Sequence, residues 1–415
     1  MAIISTWIIA LLAIAGVLTR PWKTPEALWA VLGAVLLVLC GLLTPAEGWQ
    51  GVSKGLDVYL FLTGMMLLSE TAREEKVFDW LAAHATRLAG GSAGKLFLLI
   101  YGVGIAVTAF LSNDATAVVL TPAVAASVKA ARARQPLPYL LICAFIANAA
   151  SFILPISNPA NLVLYGSHLP PLLAWLQRYA LPSVLSVGVT YFLLRFTQRK
   201  ALKQEIQTDI PLERLTPGGR TALWGIGVTA IILLVASALD SPLGLPTAIT
   251  GVLTSAIVLI RVRKGPRQII RGVSWSVLPL VAGLFVIVEA LAKTGTIRAL
   301  SEALTRTAAH SVPGAAWLSG LAIAFGSNLM NNLPAGLIAA GAIQAGHVPE
   351  VVRSAILIGV DLGPNLSITG SLATILWLTA LRREGQAVSA WTFLRIGIWV
   401  MTVALLCALA ALIIL

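Results

Sequence analysis

Two acids stand in apolar surroundings with no basic neighbour. Asp114 lies in FLSNDATAVVLTPAV, residues 110 to 124, and Asp361 opens DLGPNLSITGSLATILWL, residues 361 to 378; neither has a lysine or arginine within four positions. Placing a charged side chain at the centre of a bilayer costs roughly 2.5–3.5 kcal/mol on insertion scales, so an acid kept there needs a task. The chemistry open to it is uptake and release of a proton, or ligation of a cation together with backbone carbonyls. An aspartate hydrogen-bonded as the cap of a half-helix is the structural alternative.

Both acids coincide with polar interruptions of apolar stretches. Four such breaks occur: Ser112-Asn113-Asp114, Pro155 to Asn161, Asn328 to Pro334, and Asp361 to Ser371. Inside hydrocarbon an interrupted helix is tolerated only where it is buried or lines a cavity. Helix ends at the breaks would then turn free N–H and C=O groups toward one bound solute or ion. Glu70 and Glu289 are less informative, because Arg73 and Lys293 follow at i+3 and i+4 on the same helical face and predict ion pairs. His84, His168, His310 and His347 fall in interfacial or loop segments and read as solvated. Cys40, Cys143 and Cys407 are far apart, without CxxC spacing, so neither a disulfide framework nor a metal site is expected. There is no HExxH, GxSxG or P-loop pattern, which leaves intramembrane hydrolysis and direct ATP use without a visible site and no cofactor to expect.

The elements that position these residues follow from composition. With 58% hydrophobic and 11% charged residues, 415 residues cannot hide their apolar surface in a soluble core. The net charge of +12 flanks apolar spans rather than forming aromatic-interleaved patches, so it reads as a membrane-sidedness bias and not as a nucleic-acid surface. A span needs roughly 20 apolar residues. Candidates run 4 to 19, 25 to 43, 56 to 70, 138 to 166 and 172 to 197, then 220 to 238, 245 to 260, 274 to 291, 352 to 379 and 392 to 414. Each set of five also holds an interrupted apolar pair, 95 to 130 and 315 to 346, which reads as a re-entrant hairpin. Segments 71 to 90 and 294 to 310 alternate charged and apolar residues at helical spacing and are expected along the membrane surface.

The expected fold is an all-α polytopic membrane protein of about ten spans and two hairpins. Residues 1–197 form a first repeat, 198–219 a cytoplasmic linker and 220–415 a second repeat. An odd number of spans per half inverts the second copy relative to the first. Residual symmetry agrees: an offset of 219 lays Glu70 on Glu289 and Asn113 on Asn332, and an offset of 213 lays residues 147 to 161 on 360 to 374. Arg20, Lys23, Lys129, Arg132, Arg134, the 195–203 cluster, the 261–271 cluster, Arg382 and Arg383 all fall on one side, predicted cytoplasmic. Loops 239–244 and 167–171 hold no lysine or arginine; residues 293 to 313, with Lys293, Arg298 and Arg306, are the exception. Both termini are then expected to face the periplasm across an inner membrane.

FLSNDATAVVLTPAV, SNLMNNLPAGLIA at 327 to 339 and DLGPNLSITGSLATILWL resemble the ArsB arsenical pump membrane proteins of the ion transporter superfamily, and the resemblance spans the full length. It implies a scaffold part and a transport part, with hairpin tips meeting unwound helices. It also implies export of trivalent arsenic or antimony, either in exchange for protons or as the membrane subunit of a pump driven by a separate ArsA-type ATPase. Arsenite near neutral pH is an uncharged trihydroxide, which hydroxyl, amide and carboxylate groups can bind without a cationic pocket. Ser112, Asn113, Asn148, Asn158, Asn331, Asn332, Asn365, Ser367 and Thr369 supply such groups, with Asp114 and Asp361 for proton coupling. A three-thiolate arsenic site is implausible, since only Cys143 lies near a break. The alternatives are a sodium/proton antiporter, with both acids as cation ligands, and less readily a dicarboxylate carrier, whose dianion these acids would repel. A passive channel subunit and an intramembrane enzyme fit the repeat and the motifs less well.

Overall fold

A computed structural model describes residues 2–166, 169–207 and 214–415. His168, the 167–171 loop in part, and the middle of the 198–219 linker lie outside the described residues. Among the described residues the chain is helical, and the sole extended pairing is an isolated antiparallel bridge between Ser92 and Glu205. The first half runs α1 (Ala2–Thr19), α2 (Glu26–Leu39), α3 (Pro45–Lys54), α4 (Leu56–Glu74), α5 (Val77–Leu88) and α6 (Ala93–Phe110). A single turn, α7 (Asn113–Ala115), passes through a π-helical turn (Thr116–Leu120) into α8 (Thr121–Ala130), followed by α9 (Leu137–Ala149), α10 (Pro159–Tyr165) and α11 (Leu172–Thr197). The second half runs α12 (Pro217–Ala238), α13 (Gly244–Val262), α14 (Arg267–Gly272), α15 (Val277–Lys293) and α16 (Thr296–His310). It continues with α17 (Val312–Met330), α18 (Asn332–Gln344), α19 (Glu350–Leu362), α20 (Leu372–Arg383) and α21 (Ala390–Ile414).

By length and composition, six helices can cross a membrane: α1, α6, α11, α12, α13 and α21. Two bent pairs raise this to eight, α3 with α4 at 47° and α15 with α16 at 75°. The shortfall from ten has a local cause. Stretches 138–166 and 352–379 are each split by a break into two short helices, and α2 is only 14 residues long. Helix α6, expected as the first arm of a re-entrant hairpin, is conversely long enough to cross unaided at 18 residues.

The helices pack as two groups. In one, α4 lies along α13 and α2 along α15, with α1, α3, α12 and α14 beside them. In the other, α11 lies against α21, α17 against α19 and α6 against α9, with α5, α8, α10, α16, α18 and α20 filling in. The pairing recurs between halves: α4 packs on α13 as α15 packs on α2. Two glycines make both crossings close. A Cβ on Gly64 would meet the Thr247 backbone oxygen at 2.1 Å, and one on Gly283 would meet the Ala30 carbonyl carbon at 2.6 Å. These glycines stand 219 positions apart, the offset that relates Glu70 to Glu289, so small residues recur where the packing does.

Side-chain pairing corrects one expectation. Glu70 pairs with Arg73, whose Nε donates at 2.8 Å, but Glu289 does not pair with Lys293. Lys54 on α3 reaches Glu289 at 2.6 Å, and Lys293 reaches Glu47 at 2.8 Å. Helix α3 packs on α15 and brings a nearer cation than the one on the same helix. The basic residues of the exceptional 293–313 segment are thereby offset by acids, Lys293 by Glu47 and both Arg298 and Arg306 by Glu302. His310 and His347 are exposed; His84 is half-buried, its ring 4.1 Å from that of Trp80.

Candidate functional site

All four interruptions exist, with shifted edges. Helix α6 ends as Leu111 N–H closes its last bond to the Val107 carbonyl at 2.9 Å. Ser112 then turns extended, and its Oγ accepts from the Ala115 N–H at 3.2 Å, restarting the helix. Asn113 Oδ1 accepts from the Asp114 N–H at 2.9 Å. Asp114 sits in this first turn, where a negative charge is favoured by the helix terminus. Among the described residues its carboxyl oxygens accept no hydrogen bond.

The second interruption begins where α9 ends, and Asn161 closes it. Its Nδ2 donates to the Ser151 carbonyl at 3.0 Å and the Pro155 carbonyl at 3.3 Å, serving backbone acceptors that a buried break must satisfy. Asn158 caps α10 by accepting from the Ala160 N–H at 3.0 Å, and its Nδ2 donates to Asp361 Oδ1 at 2.7 Å. Asp361 was expected inside a break; it lies instead in the last turn of α19, fully buried, and its Oδ2 has no partner among the described residues.

The third interruption is one residue wide. Asn331 adopts φ 75°, ψ 150°, a region that glycine alone enters without strain, and its Oδ1 accepts from the Leu333 N–H at 3.3 Å. The Asn332 N–H donates to the Gly370 carbonyl at 2.8 Å, joining this tip to the fourth interruption. There, Asn365 Nδ2 donates to the Phe145 carbonyl at 2.9 Å and its Oδ1 accepts from Asn148 Nδ2 at 3.0 Å. Ser371 Oγ donates to Asn148 Oδ1 at 3.3 Å. At the offset of 213, Asn148 corresponds to Asp361 and Asn158 to Ser371, so the Asn158–Asp361 and Ser371–Asn148 contacts occupy equivalent places in the two halves.

A cavity lies between the two helix groups. Its outer part is lined by Met65, Met66, Ser69 and Glu70 of α4, by Gly272, Val273 and Ser274, and by Ser112, Asp114, Val118 and Val119. Its inner part is lined by Asn113, Asp114, Asn158, Asn332 and Ser371, closed by Val277 and Val281 of α15. Asp114, Leu62, Pro159 and Val277 belong to both parts, and among the described residues no lysine or arginine lines either. A further polar recess with Arg20 and Glu26 shares Ser274, Val277 and Leu376 with the outer part, and so continues it.

Of the residues singled out from the sequence, Ser112, Asn113, Asp114, Asn158 and Asn332 converge on the cavity, and Asp361 stands behind Asn158. The others do not reach it. Asn148 and Asn365 bind each other inside the second helix group, and Asn331 caps α18. Ser367 donates to Asn328 Oδ1 at 2.6 Å and Thr369 to the Asn328 carbonyl at 3.2 Å. Asn328, Asn161, Ser371 and Thr374 are polar partners that sequence reasoning passed over. All four lie within segments already quoted as breaks or motifs, and each was one more small polar residue without a distinguishing neighbour.

Helices interrupted around an acid-bearing cavity between two packed groups, in a chain with several membrane-length helices, define a membrane transporter. Over residues 9–359 the chain matches the citrate transporter family, and it belongs to that family. Its relatives include the arsenical pump membrane protein of Escherichia coli (strain K12), 28% identical over 410 residues covering 92% of each chain. The arsenical pump membrane protein of Yersinia enterocolitica is 28% identical over 362 residues, 84% of each. Among solved structures, the YdaH transporter of Alcanivorax borkumensis shares the fold with a TM-score of 0.57 at 15% identity, covering 100% of this chain and 98% of that one.

Proposed function

We propose that this transporter exports arsenite and antimonite from the cytoplasm in exchange for protons, by alternating access. The observation that carries the reading is the cavity itself, where hydroxyl and amide groups stand around Asp114 with no basic side chain among the described residues, a lining that an uncharged trihydroxide can bind to. A citrate-like polyanion would meet the Asp114 carboxyl there, and the one acid beside it, Glu70, already holds Arg73 as its own ion-pair partner. The arsenical pump names of the relatives support the same substrate class. Asp114, open to the cavity, would exchange its proton with the solute pathway, and Asp361 would communicate through Asn158.

The reading includes an arrangement in an inner membrane: ten spans and two hairpins in two inverted repeats, residues 1–197 and 220–415, with both termini periplasmic. The group built on α4, α13, α2 and α15 would be the scaffold, and the group built on α11 and α21 the moving part, sliding across the cavity between them. An ArsA-type ATPase is an alternative source of energy. A sodium/proton antiporter, with the same acids as cation ligands, is the second reading; the unpartnered Asp361 Oδ2 is the observation that favours it.

Everted membrane vesicles energised by a pH gradient decide between them. The expected result is arsenite accumulation that collapses with the gradient and is lost separately in Asp114→Asn and Asp361→Asn. Sodium movement without arsenite movement would overturn the substrate.

A further inference from the structure

The cavity around Asp114 has a soft wall as well as a polar one. Met65 and Met66, two of the five methionines in the chain, both line it, one turn before Ser69 and Glu70 on the same helix. Met65 is buried and Met66 half-buried, and no cysteine lines the cavity. A thioether is a polarizable, weakly accepting group. Sulfur ligands select soft centres, while hard cations prefer oxygen.

We propose that Met65 and Met66 are specificity-determining residues, presenting sulfur to the trivalent arsenic or antimony of a bound trihydroxide while Ser112 and Asp114 take its hydroxyls. The inference rests on the export reading above and names how that site tells a metalloid from a hard cation. A pyramidal trihydroxide carries its hydroxyls on one side and leaves the heavy atom exposed on the other. Ser112 and Asp114 enter this cavity from the first interruption and the two thioethers from α4, beside Ser69 and Glu70, so oxygen and sulfur groups from different elements line one space. Hydrated sodium would gain nothing from the sulfur wall. The contact is non-covalent; no bond to hydroxyl is broken and no proton is consumed.

Leucine keeps nearly the volume of methionine and removes only the sulfur, so it separates recognition from gap-filling. In everted vesicles, Met65→Leu/Met66→Leu is expected to raise the KM for antimonite and arsenite about fivefold, which corresponds to about 1 kcal/mol. Met401→Leu, remote from the cavity lining, should leave both unchanged. X-ray absorption of antimonite-loaded protein should show sulfur around antimony in the wild type and less in the double variant. Unchanged KM values in a wild-type background that exports both metalloids, or an all-oxygen shell in both proteins, would overturn the thioether role alone. A wild type that moves sodium and neither metalloid would overturn the export reading and this inference with it.

Discussion

Removing the Asn158 side chain tests the contact that ties the two halves together at the site. Asn158 performs two tasks, capping α10 through Oδ1 and donating through Nδ2 to Asp361 at 2.7 Å. Losing an N-cap costs about 1 kcal/mol. Leaving a buried acceptor without its donor costs about 1–3 kcal/mol, and Asp361 has no second donor to fall back on among the described residues. Asn158→Ala should therefore destabilise by about 2–4 kcal/mol. Asn158→Ser keeps a capping hydroxyl but is too short to reach Asp361, so only the second loss applies. Equilibrium unfolding in detergent of Asn158→Ala, Asp361→Asn and the double variant forms a mutant cycle. Asp361→Asn replaces the carboxyl that Asn158 serves, so on that background the Asn158→Ala penalty should shrink toward the cap loss alone. A stable Asn158→Ser together with a cycle additive within about 0.5 kcal/mol would refute the proposed contact.

Three further outcomes follow from other parts of the molecule. Gly64→Ala and Gly283→Ala, whose new Cβ atoms would press on backbone at 2.1 and 2.6 Å, should each destabilise by about 1–3 kcal/mol in the same unfolding assay, and wild-type stability in either would mean the crossing is looser than described. Glu47 is held down to about 2 from 4.5, first by its hydrogen bond to Lys293 and then by Thr44. A depressed carboxylate stabilises above its unfolded value and loses that contribution as pH falls through the folded one, so the stability gap between wild type and Lys293→Met should be constant above about pH 4.5 and close toward pH 2. Ser274→Cys, on a Cys40→Ser background that removes the exposed thiol, should react with a membrane-impermeant maleimide in everted but not right-side-out vesicles, more slowly with arsenite present; the opposite sidedness would reverse the assigned orientation.

The places where helices break were legible because proline, glycine and asparagine inside apolar runs have few other uses in a membrane. Their edges were less so: α19 continues through Asp361, and Asn331 alone interrupts α17 and α18, since backbone geometry and not residue type decides where a helix resumes. At the site, Ser112, Asn113, Asp114, Asn158 and Asn332 were readable from local pattern. Asn148 and Asn365 carry the same side chain as Asn158 and Asn332, yet they bond to each other across 217 residues. Only the folded chain distinguishes an amide facing a cavity from one facing a partner. The Lys54–Glu289 pair is the same lesson for charge, because a contact 235 residues distant displaced the one on the same helix.

The second half also completes the first in time. Within α9 and the break after it, Asn148, Asn158 and the carbonyls of Leu140 and Phe145 find partners in Asn365, Asp361 and Trp377, from 203 to 237 residues downstream. At about 5–20 residues per second those partners are made roughly 10–50 s after the groups that need them. During that interval the Asn158 side-chain amide lacks the acceptor that the second half supplies, and Asn148 keeps only its 3.4 Å bond to the Ala144 carbonyl. The insertion machinery has to shelter these amides, and the first half expressed alone is a substrate for quality control unless the second is supplied in the same membrane.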